Sequence, residues 1–329
     1  MSDDFAIRPH PDATGPRIAL ALGAGAAKGL AYIGVIEELN RRGFRISAIS
    51  GCSMGALLGG IYAAGKLDVY RDWVCSLSRM DVLRLLDWTL SGGGLIKGER
   101  IIETLRELIG EVDIAELQLD YTAVATDIDR RREVWISQGP LFDAIRASIA
   151  IPSVFRPHSI DGRRLVDGGL LNPLPVTPLL ASSWDYMIAV GVNGPEEDLK
   201  EHARRTAVED GAGPAERAGR HGYRKRISQF MQRIIPGEPK PESAREPGAL
   251  DLLNQSLDLM QANLAQLRLS ACPPDLLIEM PTNMAHVYAF YRARELIDMG
   301  RERASWMLDH WAPGRLRGSA SRPDSSASA

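Results

Sequence analysis

A serine at position 53 stands in a setting typical of an enzymatic nucleophile. Residues 51–55 read Gly-Cys-Ser-Met-Gly, the G-x-S-x-G form in which small flanking residues let a strained strand-to-helix turn expose the serine hydroxyl. An apolar run at residues 46–50 predicts a strand before the motif, and small apolar residues at 56–65 predict a helix after it. This context, with Gly51 and Gly55 on either side, favours Ser53 as a nucleophile over a serine in an ordinary turn.

Asp167 is the candidate base, because a serine hydroxyl is a weak nucleophile until a base accepts its proton. A short predicted strand at residues 164–167 leads into Gly168 and Gly169, which permit a tight turn and the close approach of another backbone. The alternative is a plain turn aspartate, the commonest use of an Asp-Gly pair.

A histidine base is a second possibility. The chain order Ser53, Asp167, His286 matches the triad of α/β-hydrolases, and His310 also lies beside a predicted amphipathic helix. That fold places its elbow after several strands, whereas here only one predicted strand and one predicted helix come before the motif. We therefore keep the triad as the alternative to Asp167 acting as the base.

A glycine-rich run from Gly23 to Gly29 lies between a predicted strand at residues 18–22 and a predicted helix. Such a turn directs free backbone N–H groups at a negative charge. A dinucleotide site would need a third glycine where Lys28 stands, and a P-loop would need Ser or Thr where Leu30 stands. Two interpretations remain: an oxyanion hole made of backbone donors, or small residues that allow close packing of strand and helix.

The elements that must position these residues predict an α/β fold. Two strand-turn-helix units occupy the first 65 residues, which indicates a parallel sheet with helices packed on its faces. Further apolar runs predict strands at residues 121–126, 133–137, 186–190 and 276–278. Helical spacing predicts helices at residues 98–110, 143–150, 250–267 and 288–306.

Composition excludes several classes of protein. The 329 residues are 45% hydrophobic and 25% charged, as in a folded soluble protein. With a net charge of -3, the protein has no overall positive field that would attract nucleic acid, so we do not expect a nucleic-acid-binding protein. The three cysteines are too few and too scattered for a disulfide framework or a thiolate zinc site, and they fit a reducing cytoplasm. We expect neither a secretion signal nor a membrane-spanning segment.

In their order and spacing, the three motifs resemble the signatures of the patatin-like phospholipase family, above all its bacterial branch related to the patatin domain of neuropathy target esterase. The resemblance covers residues 18–192 and the strand and helix after Pro273. Shorter matches within it are Ala147-Ser148, Ile151-Pro152, Phe155-Arg156-Pro157 and Asn172-Pro173-Leu174-Pro175.

The resemblance implies a single patatin-like domain, a central mostly parallel sheet sandwiched by helices, that hydrolyses phospholipids or lysophospholipids. It implies a Ser53–Asp167 dyad without histidine, and an inactive scaffold is the alternative. We expect no cofactor, and no metal because no His, Cys or carboxylate cluster has metal-ligand spacing. The residues implied for the oxyanion hole are Gly23, Ala24, Gly25 and Ala26, and those supporting the motifs are Lys28, Gly29, Gly51, Gly55, Gly168 and Gly169. Many members have glycine where Ala24 and Ala26 stand. Because alanine also has a backbone N–H, we expect the oxyanion hole to survive if both residues keep φ below zero.

The predicted organisation is a catalytic core at residues 18–194, a polar excursion at 195–248 and a helix-strand-helix at 249–312, between disordered tails at 1–17 and 313–329. Within the excursion, residues 215–235 combine an apolar stripe at helical spacing with six basic residues. That segment either docks on anionic membranes or packs on the protein's own core or a second subunit. Gly92–Gly94 form either a loop covering the acyl site or a plain surface loop. We expect a cytoplasmic protein that contacts the inner face of the membrane peripherally and binds no nucleic acid.

Overall fold

The structure is a computed structural model that describes residues 15–85, 98–152, 154–197 and 249–313. Two compact units are present: one joins the chain up to Pro195 with the chain from Asp258 onward, and the other is Glu196–Leu257. The Gly92–Gly94 loop, the segment 215–235 and both predicted tails, apart from a few residues, lie outside the described residues. Within the described ranges, no helix is both long enough and apolar enough to cross a lipid bilayer.

Sixteen labelled elements build the described chain. The strands are β1 (Arg17–Leu22), β2 (Arg45–Cys52), β3 (Asp120–Asp127), β4 (Arg132–Ile136), β5 (His158–Ile160), β6 (Arg163–Asp167), β7 (Tyr186–Gly194) and β8 (Leu276–Pro281). The helices are α1 (Ala31–Arg41), α2 (Met54–Ala63), α3 (Leu67–Ser76), α4 (Arg79–Leu85), α5 (Glu99–Ile109), α6 (Leu141–Ser148), α7 (Ala249–Ala271) and α8 (Ala293–His310).

One sheet contains all eight strands, in the order β5-β6-β3-β2-β1-β7-β8, with β4 paired to β3. The five adjacent strands β3, β2, β1, β7 and β8 run parallel to one another, and the other three pair antiparallel. Residues 18–22 of β1 are all buried, as expected for a central strand with both faces covered. The prediction of an α/β domain with a mostly parallel sheet flanked by helices is therefore confirmed.

Helix α1, which follows the glycine-rich loop, is fixed by close packing against α8. A Cβ atom added to Gly300 of α8 would lie 1.9 Å from the Ala31 carbonyl oxygen, and one added to Gly34 of α1 would lie 2.0 Å from the Ile297 carbonyl oxygen. Only glycine permits backbones to approach this closely. The C-terminal helix thus supports the element that carries the glycine-rich loop.

Strand β3 has one edge that two other strands share. β2 pairs in parallel with its first part, ending with Cys52 opposite Val124, and β6 pairs antiparallel with its last part, beginning with Asp167 opposite Ala125. Because β4 occupies the other edge of β3 along residues 123–127, β2 and β6 must lie on the same edge. The C-terminal ends of β2 and β6 therefore point at each other and meet.

Candidate active site

Ser53 is the N-cap residue between β2 and helix α2, in a strained backbone conformation. Its φ of 54° and ψ of -120° lie in a region that residues with a Cβ atom rarely occupy. The neighbouring glycines are required by space: a Cβ atom on Gly51 would lie 2.4 Å from the Gly55 carbonyl oxygen, and one on Gly55 would lie 2.2 Å from the Leu22 carbonyl oxygen. This is the geometry of a nucleophile elbow, packed against the end of β1 where the glycine-rich loop begins.

Asp167 ends β6, and its buried carboxyl group faces the elbow. Oδ1 accepts the Gly169 N–H at 2.7 Å and the Cys52 thiol at 3.8 Å. Burial raises the pKa of Asp167 to about 6, although the Ser53 side chain, the Gly169 N–H and the Cys52 thiol oppose the shift. The carboxyl is therefore a base that is ionised at neutral pH and still basic enough to accept a proton.

Among the described residues, the groups that interact with the Asp167 carboxyl include no histidine. His286 is exposed on the loop after β8, and His310 is exposed at the end of α8, where its ring stacks on Trp306 and Nδ1 lies 2.7 Å from the Trp306 carbonyl oxygen. Among the described residues, neither His286 nor His310 is a partner of Asp167.

Two of the four implied oxyanion donors are already used within the fold. The Gly23 N–H donates to the Val190 carbonyl oxygen at 3.0 Å, and the Ala24 N–H donates to the Pro173 carbonyl oxygen at 2.8 Å. The first bond continues the pairing of β1 with β7, and the second ties the loop to the segment before β7, so neither N–H is available to an oxyanion. The expectation of four donors is corrected to two, because only the N–H groups of Gly25 and Ala26 have no acceptor among the described residues.

The condition that both alanines keep φ below zero fails at one of them. Ala26 has a φ of 43°, whereas Ala24 is not among the described residues with positive φ. A side chain in the left-handed region is strained by contact between Cβ and the following backbone. The backbone N–H of Ala26 is kept, so the cost falls on the stability of the loop and leaves the number of donors unchanged.

Lys28 and Gly29 connect this loop to its surroundings. The Lys28 ammonium lies 3.5 Å from the Thr282 carbonyl oxygen, and burial lowers its pKa while the carboxylate of Asp258 opposes that shift. A Cβ atom on Gly29 would lie 2.5 Å from Cγ of Met54, the residue after Ser53. The glycine-rich loop thus packs directly on the elbow.

Two residues beside Ser53 and Asp167 were not assigned a role from the sequence. Burial raises the pKa of the Cys52 thiol, as does the charge of Asp167, so the thiol stays protonated and donates to that carboxyl. The Ser148 hydroxyl accepts the Ser53 N–H at 2.9 Å and donates to the Val124 carbonyl oxygen at 2.6 Å. Both residues lie inside motifs that the sequence shows, but only their contacts reveal what they do.

Comparison with known proteins adds independent information. The patatin-like phospholipase family model matches residues 20–180. An NTE family protein of Mycobacterium tuberculosis is 39% identical over 89% of this chain and 92% of its own length. The neuropathy target esterase of Drosophila melanogaster is 29% identical over 56% of this chain and 13% of its own. The solved structure of VipD from Legionella pneumophila aligns with a TM-score of 0.41 and 15% identity, over 90% of this chain and 67% of that one.

Proposed function

The chain belongs to the patatin-like phospholipase family, and on that premise we propose that it hydrolyses acyl esters of phospholipids or lysophospholipids through Ser53. Lipid ester hydrolysis is the general activity that family membership supports. One observation carries the assignment to these residues: the ends of β2 and β6 meet on β3 and bring the strained Ser53 turn beside the buried Asp167 carboxyl, whose Oδ1 accepts the thiol of Cys52, the residue before Ser53. A nucleophile on a strained turn beside a buried base is the arrangement that covalent ester hydrolysis requires.

In the first half of the proposed reaction, Ser53 Oγ forms a bond to the ester carbonyl carbon and its proton passes to Asp167. The negative charge that develops on the carbonyl oxygen is accepted by the N–H groups of Gly25 and Ala26. The tetrahedral intermediate then breaks its bond to the alcohol oxygen, which takes the proton from Asp167. The products are the free alcohol, a lysolipid or its headgroup fragment, and an acyl-serine.

In the second half, a water molecule attacks the acyl-serine while Asp167 accepts a proton from it. Collapse of this second intermediate returns the proton to Ser53 and releases the carboxylic acid. Every proton transfer uses the same carboxyl group, so a pKa of about 6 suits both directions at neutral pH. The dyad needs no histidine for this cycle.

The test is labelling with a fluorophosphonate probe, followed by peptide mapping and by hydrolysis assays on diacyl phospholipid, lysophospholipid and a short-chain ester. We expect the probe on Ser53 and turnover of at least one of the two lipid substrates. A protein that takes no label at Ser53 and hydrolyses none of the three substrates would be an inactive scaffold, contrary to the proposal. Turnover of the short-chain ester alone would limit the activity to small esters.

For contact with lipid we propose the basic amphipathic segment at residues 215–235, which lies outside the described residues. Arginine side chains bind anionic headgroups while an apolar stripe enters the acyl boundary. The double variant Phe230→Glu/Arg224→Glu should stop sedimentation with anionic liposomes and leave hydrolysis of a soluble short-chain ester unchanged. Unchanged liposome binding would assign the segment to the protein's own core or to a second subunit, as would unfolding of the variant.

A further inference from the structure

The Ser148 hydroxyl forms a buried bridge between two backbone groups at the point where β2 leaves the sheet. Ser148 is the last residue of α6 and has no exposed surface. Its Oγ accepts the N–H of Ser53, 95 residues earlier, and donates to the Val124 carbonyl oxygen of β3. Cys52 and Val124 form the last residue pair between β2 and β3. Beyond that pair, the Ser148 hydroxyl links the Ser53 N–H to the Val124 carbonyl oxygen.

The same region also holds the strand that carries the base. A Cβ atom on Gly168 would lie 2.2 Å from the Val124 carbonyl oxygen, so that oxygen is packed against the turn after Asp167. The Asp167 N–H donates at 2.9 Å to the carbonyl oxygen of Ala150, two residues beyond Ser148. Residues 148–150 therefore provide an acceptor to the backbone N–H of the nucleophile and to that of the base.

We propose that Ser148 is a positioning residue that holds the Ser53 elbow in register with Asp167. The proposal rests on the proposed function, since it takes Ser53 as the nucleophile. A strained backbone persists only when its surroundings fix it, and the Ser148 hydroxyl fixes the N–H of the strained residue itself. Its burial keeps it from touching substrate, so it acts on the rate of the chemical step through Ser53 and does not contribute to substrate binding.

The first experiment compares Ser148→Ala with Ser50→Ala in the full-length protein. Ser50 is a matched control, because it is a fully buried serine three residues before Ser53 whose hydroxyl has no partner among the described residues. Ser148→Ala should lower kcat on a short-chain ester, and the rate of fluorophosphonate labelling, by about 10- to 100-fold, with KM changed less than about twofold. Ser50→Ala should leave all three within about twofold.

The second experiment compares Ser148→Thr with Ser148→Val, two variants of nearly equal shape that differ by the hydroxyl group. Any steric cost is common to both, so the ratio of their labelling rates isolates the hydrogen bonds. We expect the threonine variant to label at least about 10-fold faster than the valine variant. The pH profile of every variant should keep the apparent pKa of the wild type, because Asp167 itself is unchanged.

The outcomes separate the positioning role of Ser148 from the proposed function of Ser53 as the nucleophile. If wild-type protein is labelled at Ser53 but Ser148→Ala, still folded, is labelled equally fast, Ser148 is not a positioning residue and the proposed function stands. Equal rates for the threonine and valine variants would overturn it in the same way. Loss of folding in Ser148→Ala but not in Ser50→Ala would make the hydroxyl a requirement for folding instead. Wild-type protein that takes no label at Ser53 would reject the proposed function itself.

Discussion

Cys52 and Asp167, 115 residues apart in sequence, lie opposite consecutive residues on one edge of β3. Cys52 pairs with Val124 at the end of a parallel strand, and Asp167 pairs with Ala125 at the end of an antiparallel one. Because the two strands approach from opposite directions, the residue after Cys52 lies beside the Asp167 carboxyl. The proximity of Ser53 and Asp167, the proposed nucleophile and base, is thus a consequence of strand topology.

The backbone at Ser53 predicts an unusual order of stability among its variants. Ser53→Ala and Ser53→Gly should both lower turnover by at least about 10³-fold, since each removes the nucleophile. Glycine tolerates the φ of 54° without strain, so Ser53→Gly should be more stable than Ser53→Ala by about 1 kcal/mol in urea unfolding. At Ser256, well inside helix α7, the glycine variant should be the less stable of the pair. The same order at both positions would show that Ser53 is not strained.

The pKa of Asp167 predicts how activity depends on pH. Only the ionised carboxyl can accept the Ser53 proton, so kcat/KM should rise with pH through an apparent pKa of about 6 and then stay level. Asp167→Asn should lower turnover nearly as much as Ser53→Ala and remove this rise. His286→Ala and His310→Ala are the controls and should keep most of the activity. A histidine variant as impaired as the serine variant would restore the triad.

Asp167 also predicts a gain in stability when its charge is removed. Its pKa is raised from 3.8 to about 6 in the folded state, so the folded protein binds the proton more tightly than the unfolded chain. The resulting stabilisation is complete below pH 3.8 and is lost as the pH rises through about 6. At pH 8, Asp167→Asn should therefore raise the free energy of unfolding by about 1–3 kcal/mol, and the gain should shrink toward pH 4.

Asp185 is the matched control for that measurement. Partial burial by itself would raise the pKa of its carboxyl. The hydrogen bonds and charge of Arg17 outweigh that effect, so the pKa lies below its usual value. Asp185→Asn should therefore destabilise the protein at pH 8, the opposite sign to Asp167→Asn. Equal effects from the two asparagine variants would show that the Asp167 carboxylate is not destabilised by burial.

The two alanines of the glycine-rich loop should respond oppositely to glycine. Ala26→Gly relieves a φ of 43° and should change the free energy of unfolding by between 0 and about 1 kcal/mol in the stabilising direction. Ala24→Gly relieves no such strain and should destabilise by about 0.5–1 kcal/mol through the entropy of the unfolded chain. Urea unfolding of both variants measures the difference. Both should keep their activity, because glycine retains the backbone N–H; loss of activity in Ala26→Gly would contradict the role given to that donor.

The sequence by itself determined the local features of the site. The requirement for glycine at position 51 comes from atoms of Gly55 and Ala56, so a short motif records it. The requirement at position 55 comes from Leu22 at the end of β1, which only the fold brings close. The predicted strand at residues 18–22 and the predicted helix at 98–110 match β1 and α5 to within one residue at each end, because buried strands and amphipathic helices carry their own periodicity. Helices α3 and α4 were not predicted.

The tertiary structure alone decided which of those features act together. That β6 runs antiparallel and abuts β2 along β3 depends on packing between segments more than 100 residues apart, and no local pattern encodes it. The same packing takes the N–H groups of Gly23 and Ala24 into bonds with Val190 and Pro173 and leaves those of Gly25 and Ala26 available. The sequence shows that a residue has a backbone N–H, but not whether that N–H is already bonded. That depends on which acceptor the fold brings within about 3 Å of it.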